Sequence, residues 1–285
     1  MIPAQLASLL QATFPGAQLS APQPTSGGFS NLTIRLMIDA TPVIVKAAEH
    51  PDKRADIRRE VQILCMLAGR GLPLPHCLAF AEDASYTANV MALLPGSNGI
   101  ALYANDTASR LAAYTQLGAL LAKIHAITTD QAVATDLELA ARMRAIQLPV
   151  LENRLRHALR TALDHPAWAH GYGLVHGDAG LHNILWHNRL SALLDWEWAG
   201  WGNPLIDIAW IAWTMQFRRV GMAEWHALID SYHHHAPLLD MDPATLHALA
   251  LGQIAAIMSR VAHRPAALHE WVQRANWSLD LQFMR

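Results

Sequence analysis

The feature that most constrains this chain of 285 residues is a pair of short segments in its second half. The first reads Leu174-Val-His-Gly-Asp-Ala-Gly-Leu-His-Asn-Ile-Leu-Trp186, and the second, Leu193-Leu-Asp-Trp-Glu197, follows closely. Together they place Asp178, Asn183 and Asp195 in a fixed order at short intervals. An aspartate, an asparagine and a second aspartate beyond a hairpin are the residue types that a phosphoryl-transfer site requires.

The chemistry of phosphoryl transfer explains this pattern. A γ-phosphoryl group leaves with little covalent help, so the protein orients a hydroxyl, holds magnesium and neutralises charge on the phosphate oxygens. In the kinase template an aspartate accepts the hydroxyl proton, and an asparagine and a later aspartate ligate the metal. The sequence therefore predicts Asp178 as the catalytic base, with Asn183 and Asp195 as magnesium ligands.

The same segments resemble the aminoglycoside phosphotransferase and choline kinase group of small-molecule kinases. The resemblance continues into Gly200–Trp210, which is similar to the Gly-Asp-Pro-x-x-Asp-Leu-Ala segment of that group, with Asn203 in place of the usual first aspartate. It implies that Asp207 braces the catalytic loop and that His176 supports this loop through backbone contacts. Glu197 directly follows the metal-binding segment, and we expect it near the metal or the acceptor.

Composition divides the chain into two unlike parts. All ten tryptophans lie between Trp168 and Trp277, whereas the first third carries alternating β-branched stretches. The resemblance implies an α+β, two-lobed protein-kinase-like fold, with a small N-terminal antiparallel sheet lobe that includes a helix and a larger, mainly helical lobe. We predict a nucleotide-binding lobe at residues 1–95 and a catalytic and acceptor-binding lobe at residues 96–285.

Hydrophobic periodicity predicts the individual elements. Two strands at 33–38 and 42–46 form a hairpin, and a third strand begins at Val90 and ends at a Pro-Gly break. Apolar residues recur at helical spacing elsewhere. Helices are predicted at 1–14, 55–67, 109–127, 135–160, 207–215, 223–233, 243–261 and 265–283.

A glycine pair precedes the predicted hairpin. Adjacent glycines let backbone amides approach a phosphate closely, although such a turn serves equally well as a flexible connector. The related kinases have a similar Gly-Gly-x-Ser-Asn segment over the nucleotide phosphates. The resemblance therefore implies that the phosphates contact Gly27, Gly28, Ser30 and Asn31.

Lys46 is one of only three lysines and stands at the end of an apolar strand, where an ammonium group needs a partner. In a kinase-like lobe this partner is a helix carboxylate, and the pair positions the α- and β-phosphates. Glu60 is the predicted partner, and Asp56 is the alternative if the helix register differs.

The nucleotide base is predicted to bind beside this lysine. Strand alternation places Ile44 on the same face as Lys46, so Ile44 is expected to line the adenine cavity. Backbone groups of the segment that includes Met91 and Leu93 are expected to hydrogen-bond to the base.

The favoured interpretation is an ATP- and magnesium-dependent phosphotransferase that acts on a hydroxyl group of a small molecule, an antibiotic or a metabolite. Two alternatives stay open. One is a kinase-like nucleotide-binding module without catalysis. The other is a zinc-dependent hydrolase, because His182 and His187 surround Asn183 and because His176-x-Asp178 resembles the start of a metallohydrolase site.

Charge and composition exclude several partners. The net charge is −2 and no basic run is present, so neither nucleic acid nor a membrane surface is expected. The N-terminal segment lacks the features of a signal peptide, and no apolar run reaches the roughly 18 residues of a membrane span. Cys65 and Cys77 form no disulfide framework. We expect a cytoplasmic protein with a small-molecule acceptor; no motif indicates which acceptor or which oligomeric state.

Overall fold

The structure is a computed structural model that describes residues 2–25, 31–105, 107–128, 137–169, 172–237 and 240–283. The chain divides into two compact units. The first consists of Met1–Gly99 and Asn183–Trp198, and the second of Ile100–His182 and Ala199–Arg285. The functional division at residue 95 stays a prediction.

The first unit is built on an antiparallel sheet of five strands, β1 (Gln23–Pro24), β2 (Leu32–Ile38), β3 (Thr41–Ala48), β4 (Cys77–Glu82) and β5 (Thr87–Ala92). Their order in the sheet is β1-β2-β3-β5-β4. In β2, Ile34, Leu36 and Ile38 are buried while the residues between them are more exposed, so one face of this strand forms core. The predicted hairpin is confirmed, and the strand predicted at Val90 begins earlier, at Thr87.

Two helices, α1 (Ala4–Thr13) and α2 (Pro51–Leu67), belong to the same unit. Pro51 suits the first turn of α2, because the backbone N–H that proline lacks has no intrahelical acceptor there. Ile57 and Leu64 are buried on the face of α2 that packs against β3 and β5. Glu60 lies between them on this buried face, and its carboxylate therefore points inward.

A second, three-stranded sheet in the first unit has the order β6-β8-β9, with β6 at Ser97–Asn98, β8 at Ile184–Trp186 and β9 at Leu190–Leu193. Ile184 pairs with Leu193 across the β8–β9 hairpin. Asn183 precedes β8 and Asp195 follows β9, so the hairpin brings these two residues to the same end. A backbone hydrogen bond joins the two segments at this end, from the Leu194 N–H to the Asn183 carbonyl at 2.6 Å.

The second unit is mainly helical and also contains the antiparallel pair β7 (Gly173–Val175) and β10 (Gly200–Gly202). Its core helix, α7 (Leu205–Phe217), is buried at nearly every position, as expected for a helix that is apolar on all sides. Within the described ranges, no helix combines the length and apolar character needed to cross a bilayer. The helices are α3 (Leu102–Asn105), α4 (Thr107–His125), α5 (Leu139–Arg144), α6 (Asn153–Leu163), α7 (Leu205–Phe217), α8 (Met222–His235), α9 (Pro243–Arg260) and α10 (Pro265–Ser278).

Helices α4 and α8 pack in very close contact. A Cβ atom at Gly118 would overlap the Leu228 carbonyl oxygen, so only glycine permits this backbone approach.

One predicted helix is wrong. The span 135–160 contains two helices, α5 and α6, and residues 145–152 between them are not helical. Pro149 explains the break, because it lacks an N–H group and disfavours helical geometry at Leu148. The start of this prediction, up to residue 136, lies outside the described residues. The other predicted helices are confirmed with shifted ends; α10 ends at Ser278 instead of residue 283.

Candidate active site

In the first unit, the ammonium group of Lys46 lies among three carboxylates. Its Nζ atom is 3.2 Å from Glu60 Oε2, 2.5 Å from Asp195 Oδ1 and 3.3 Å from Glu197 Oε2. Burial alone would lower the pKa of Lys46, but these carboxylates outweigh burial and hold that pKa well above its ordinary value. Lys46 is therefore charged at neutral pH.

The turn after β9 aims Asp195 at this lysine. Asp195 has a φ of 65°, a left-handed conformation that is uncommon for a residue other than glycine and is often found at functional sites. The next residue, Trp196, is fully buried, and its N–H donates to Glu60 Oε1 at 3.2 Å. Glu60 thus binds both Lys46 and the turn. The Asp195 side chain itself keeps 37% of its surface exposed, so its carboxylate is accessible to a ligand.

Glu197 is buried in the same cluster. It accepts a hydrogen bond from Asn31 Nδ2 at 2.8 Å and lies 3.9 Å from Lys53 Nζ. Arg59 Nη1 donates to the Glu197 carbonyl at 2.9 Å. Asp56, the alternative partner for Lys46, pairs with Lys53 and Arg59 of its own helix.

The predicted phosphate-contacting glycine segment is only partly described. Gly27, Gly28 and Ser30 lie outside the described residues. Asn31, directly after them, is held by Glu197.

The predicted base-contacting residues lie on neighbouring strands. Ile44 and Met91 are directly paired between β3 and β5 and so share a face of the sheet. Lys46, two residues after Ile44, is on that same face. Leu93 N–H donates to the Pro42 carbonyl at 3.3 Å.

The predicted metal donors fit magnesium by their chemistry. Asn183 and Asp195 offer an amide oxygen and a carboxylate at one end of a hairpin, and Mg²⁺ is usually held by one or two carboxylates together with substrate phosphates. Among the residues that the structure describes, no group of three or more His, Cys, Asp or Glu side chains is arranged to hold a metal ion.

In the second unit, Asp207 fixes the loop that follows β7. Its fully buried carboxylate accepts hydrogen bonds from the N–H groups of His176 and Gly177, each at 2.8 Å, and contacts His125 Nε2 at 3.0 Å. His125 Nδ1 in turn lies 3.0 Å from the Tyr232 hydroxyl. Burial tends to raise the pKa of Asp207, but its partners, His125 first among them, lower it below its ordinary value.

His176 is completely buried in this loop. Its Nδ1 atom accepts the Asp178 N–H at 3.2 Å. This bond joins the His176 ring to the backbone of the loop, and the supporting role of His176 stays a prediction.

The carboxylate of Asp178 contacts an indole and an imidazole of the second unit. Its Oδ1 atom lies 2.7 Å from Trp210 Nε1 and 3.1 Å from His182 Nε2. Burial raises the pKa of Asp178, but His182 first, and then His176 and the Trp210 hydrogen bond, bring it below its ordinary value. Sequence reasoning missed both contacts. The spacing of four residues could have indicated His182, whereas nothing distinguished Trp210 from a core tryptophan.

Each unit therefore assembles its own set of predicted residues. The first unit brings together Lys46, Glu60, Asp195, Glu197 and Asn31. The second brings together Asp178, His176 and Asp207.

Comparison with known proteins gives the fold. The chain resembles the solved GDP and kanamycin complex of APH(2")-IIIa, with a TM-score of 0.73, 12% identity and coverage of 97% of this chain and 98% of the other. It also resembles macrolide 2'-phosphotransferase MphH from Brachybacterium faecium, with a TM-score of 0.62, 21% identity and coverage of 98% and 99%. The predicted α+β, protein-kinase-like fold is confirmed.

The amino-acid sequence also matches known proteins. Acyl-CoA dehydrogenase family member 10 of Mus musculus is 27% identical over 176 residues, which is 54% of this chain. The matched region spans only 16% of that relative's length. The family model described as phosphotransferase enzyme family matches residues 22–249, most of the chain, and the chain therefore belongs to this family, as its motifs predicted.

Proposed function

We propose that this protein transfers the γ-phosphoryl group of ATP to a hydroxyl group of a small molecule. The observation that carries the proposal is the Lys46 cluster, in which a buried ammonium lies 3.2 Å from a helix carboxylate, Glu60, and 2.5 Å from Asp195. A strand lysine paired in this way is what a kinase uses to hold the α- and β-phosphates. Family membership supports the same reaction class.

Asp178 is the proposed catalytic base. The acceptor oxygen forms a bond to the γ-phosphorus while the bond from that phosphorus to the β–γ bridging oxygen breaks, and ADP leaves. The hydroxyl proton passes to the Asp178 carboxylate. Its lowered pKa supports this role, because the carboxylate is then ionised at neutral pH and ready to accept a hydrogen bond from the hydroxyl. His176 and Asp207 keep the loop rigid behind it.

Asn183 and Asp195 are the proposed magnesium ligands. When bound, magnesium neutralises charge on the phosphate oxygens. Lys46 adds a fixed positive charge for the α- and β-phosphates, and Glu60 holds that ammonium in place. The glycine segment with Gly27, Gly28 and Ser30, followed by Asn31, is proposed to contact the phosphates, and Glu197 to steady Asn31.

The base is proposed to be adenine, with Ile44 and Met91 providing apolar contact. Leu93 is proposed to accept a hydrogen bond through its carbonyl, because its N–H already donates to Pro42. A carbonyl acceptor suits the amino group of adenine and would repel the carbonyl oxygen of guanine. A related protein has been solved with GDP, so competition between ATP and GTP is the direct test of this preference.

The acceptor is proposed to be a small hydroxylated compound. One neighbour is a kanamycin complex and another is a macrolide phosphotransferase, so both antibiotic classes are first candidates. Purified protein with ATP and magnesium is to be assayed for ADP release with aminoglycosides, macrolides, sugars, choline and homoserine.

The variant Asp178→Asn separates catalysis from binding. We expect the rate with the best acceptor to fall by about 10²- to 10⁴-fold, while ATP affinity measured by calorimetry stays the same. Asp240→Asn, which changes an exposed aspartate, is the matched control and is expected to behave as wild type. If ATP binds with magnesium but no acceptor accelerates ADP release, this proposal is wrong and the protein is a nucleotide-binding module without catalysis.

A further inference from the structure

The Asp178 carboxylate accepts a hydrogen bond from an indole of helix α7. Trp210 Nε1 lies 2.7 Å from Asp178 Oδ1, and Trp210 is buried on the core helix α7. An indole nitrogen can only donate a hydrogen bond, so the direction of this bond is unambiguous. The His182 ring reaches the same oxygen at 3.1 Å.

The indole is itself fixed by its neighbours. Trp210 stacks on Trp213 with ring centroids 4.8 Å apart and an interplanar angle of 9°, and on Trp271 with centroids 6.4 Å apart. Trp213 stacks in turn on Phe217 at 5.2 Å. Buried, stacked rings lose little further freedom when they make a hydrogen bond, so the donor is already in place before any ligand binds.

We propose that Trp210 is a positioning residue for phosphoryl transfer, whose N–H fixes the rotation of the Asp178 carboxylate and so aims it at the acceptor hydroxyl. This inference rests on the proposed function, in which Asp178 is the base. The bond from a rigid donor limits the rotation of the Asp178 carboxylate, and loss of that donor lets the carboxylate spend more of its time misaligned. The bond also stabilises the ionised form of the base.

Trp210→Phe tests the inference because it keeps a ring in the stack and removes the N–H group. We expect kcat to fall by about tenfold or more, because a carboxylate that is no longer held in line accepts the hydroxyl proton less often. The KM for ATP should stay within about twofold of wild type, because ground-state binding of the nucleotide does not use this bond.

Trp168→Phe is the matched control, because this buried tryptophan of the second unit is not part of the stack formed by Trp210, Trp213 and Trp271. Its indole N–H also makes a buried hydrogen bond, at 2.9 Å to the Ala162 carbonyl, but does not serve Asp178. Both variants lose a buried donor and ring area, and both are expected to lose stability to a similar extent. If the two variants lower kcat equally, Trp210 has a structural role only and the inference is overturned.

A measurement without turnover separates this inference from the proposed function. The carboxyl carbon of Asp178 can be followed by NMR in protein labelled with ¹³C-aspartate, with Asp178→Asn used for assignment. The pKa of Asp178 should rise in Trp210→Phe and stay unchanged in Trp168→Phe. An unchanged pKa in both overturns the inference even if the protein proves to be a kinase. Absence of phosphorylation of every acceptor would instead reject the proposed function, and the titration would still report on the bond.

Discussion

The Nζ atom of Lys46, on strand β3, lies 3.2 Å from the Oε2 atom of Glu60, on helix α2. The buried face of α2 places this carboxylate against the sheet, and the Trp196 N–H anchors its other oxygen at 3.2 Å. Glu60 therefore fixes the position of the Lys46 ammonium, which it shares with Asp195 at 2.5 Å and Glu197 at 3.3 Å.

Glu60→Gln is expected to weaken ATP binding. Without the Glu60 charge, Lys46 loses the helix carboxylate that fixes its ammonium group, and this group is less well placed for the phosphates. We expect the KM for ATP to rise about tenfold, equivalent to 1.4 kcal/mol. Initial rates measured against ATP concentration give this value.

Asp52→Asn is the control for this measurement, since it changes a carboxylate on the same helix whose side chain is 90% exposed. Its KM should match wild type. A Glu60→Gln protein with wild-type KM and kcat would show that the pair does not position the nucleotide.

Asn183→Ala is expected to increase the requirement for magnesium. The substitution removes one of the two proposed ligands, and Asp195 and the nucleotide phosphates would hold the ion alone. The magnesium concentration at half-maximal rate should rise by about tenfold or more, at saturating ATP.

Asn188→Gly is the matched control for the magnesium titration. Asn188 lies in the turn of the same hairpin with a φ of 59°, which glycine adopts without strain. Its magnesium dependence should be unchanged. If wild type and Asn183→Ala reach half-maximal rate at the same magnesium concentration, Asn183 is not a magnesium ligand.

The sequence predicted those features that depend on local spacing. Residues flanking a short hairpin meet at one end, so the pairing of β8 with β9 follows from the motif that contains Asn183 and Asp195. Glu60 was predictable because helical periodicity places it on the buried face of α2.

Features that depend on distant packing could not be predicted. The bond from Trp210 to Asp178 joins residues 32 positions apart, and α7 is so uniformly apolar that no periodicity marks one tryptophan. The contacts of Glu197 with Asn31 and Lys53 likewise require the packing of three separate elements. The prediction of one helix at 135–160 was wrong for another reason. It followed the apolar periodicity of this span and ignored the helix break that Pro149 causes.

Asp207→Asn is expected to destabilise the fold at neutral pH. Both carboxylate oxygens accept backbone N–H groups, from His176 and Gly177, so either orientation of an amide places its NH₂ group against a donor. We expect a loss of about 3 kcal/mol in the free energy of unfolding, measured with urea at pH 7.

The pH dependence of this loss gives an independent check. Because the pKa of Asp207 is lowered on folding, its ionised form stabilises the protein above its unfolded pKa of about 3.9. This contribution disappears as the pH falls through the lower folded pKa. The difference in the free energy of unfolding between wild type and Asp207→Asn should therefore become smaller as the pH falls. If this difference in the free energy of unfolding stays constant down to the lowest pH at which both proteins fold, the charge of the carboxylate is not the source of the stability.

Gly118→Ala is expected to destabilise the second unit, although alanine in a helix interior normally adds about 1 kcal/mol relative to glycine. The added methyl group would overlap the Leu228 carbonyl oxygen and would push α4 away from α8. Overpacking of this kind costs about 1–3 kcal/mol. A lower free energy of unfolding therefore indicates backbone contact, and a higher one indicates the effect of helix propensity. Thr115→Ala, at an exposed position of α4, is the control and should stay within about 0.5 kcal/mol of wild type in urea unfolding. A Gly118→Ala protein more stable than wild type would show that the two helices are not in close backbone contact at this position.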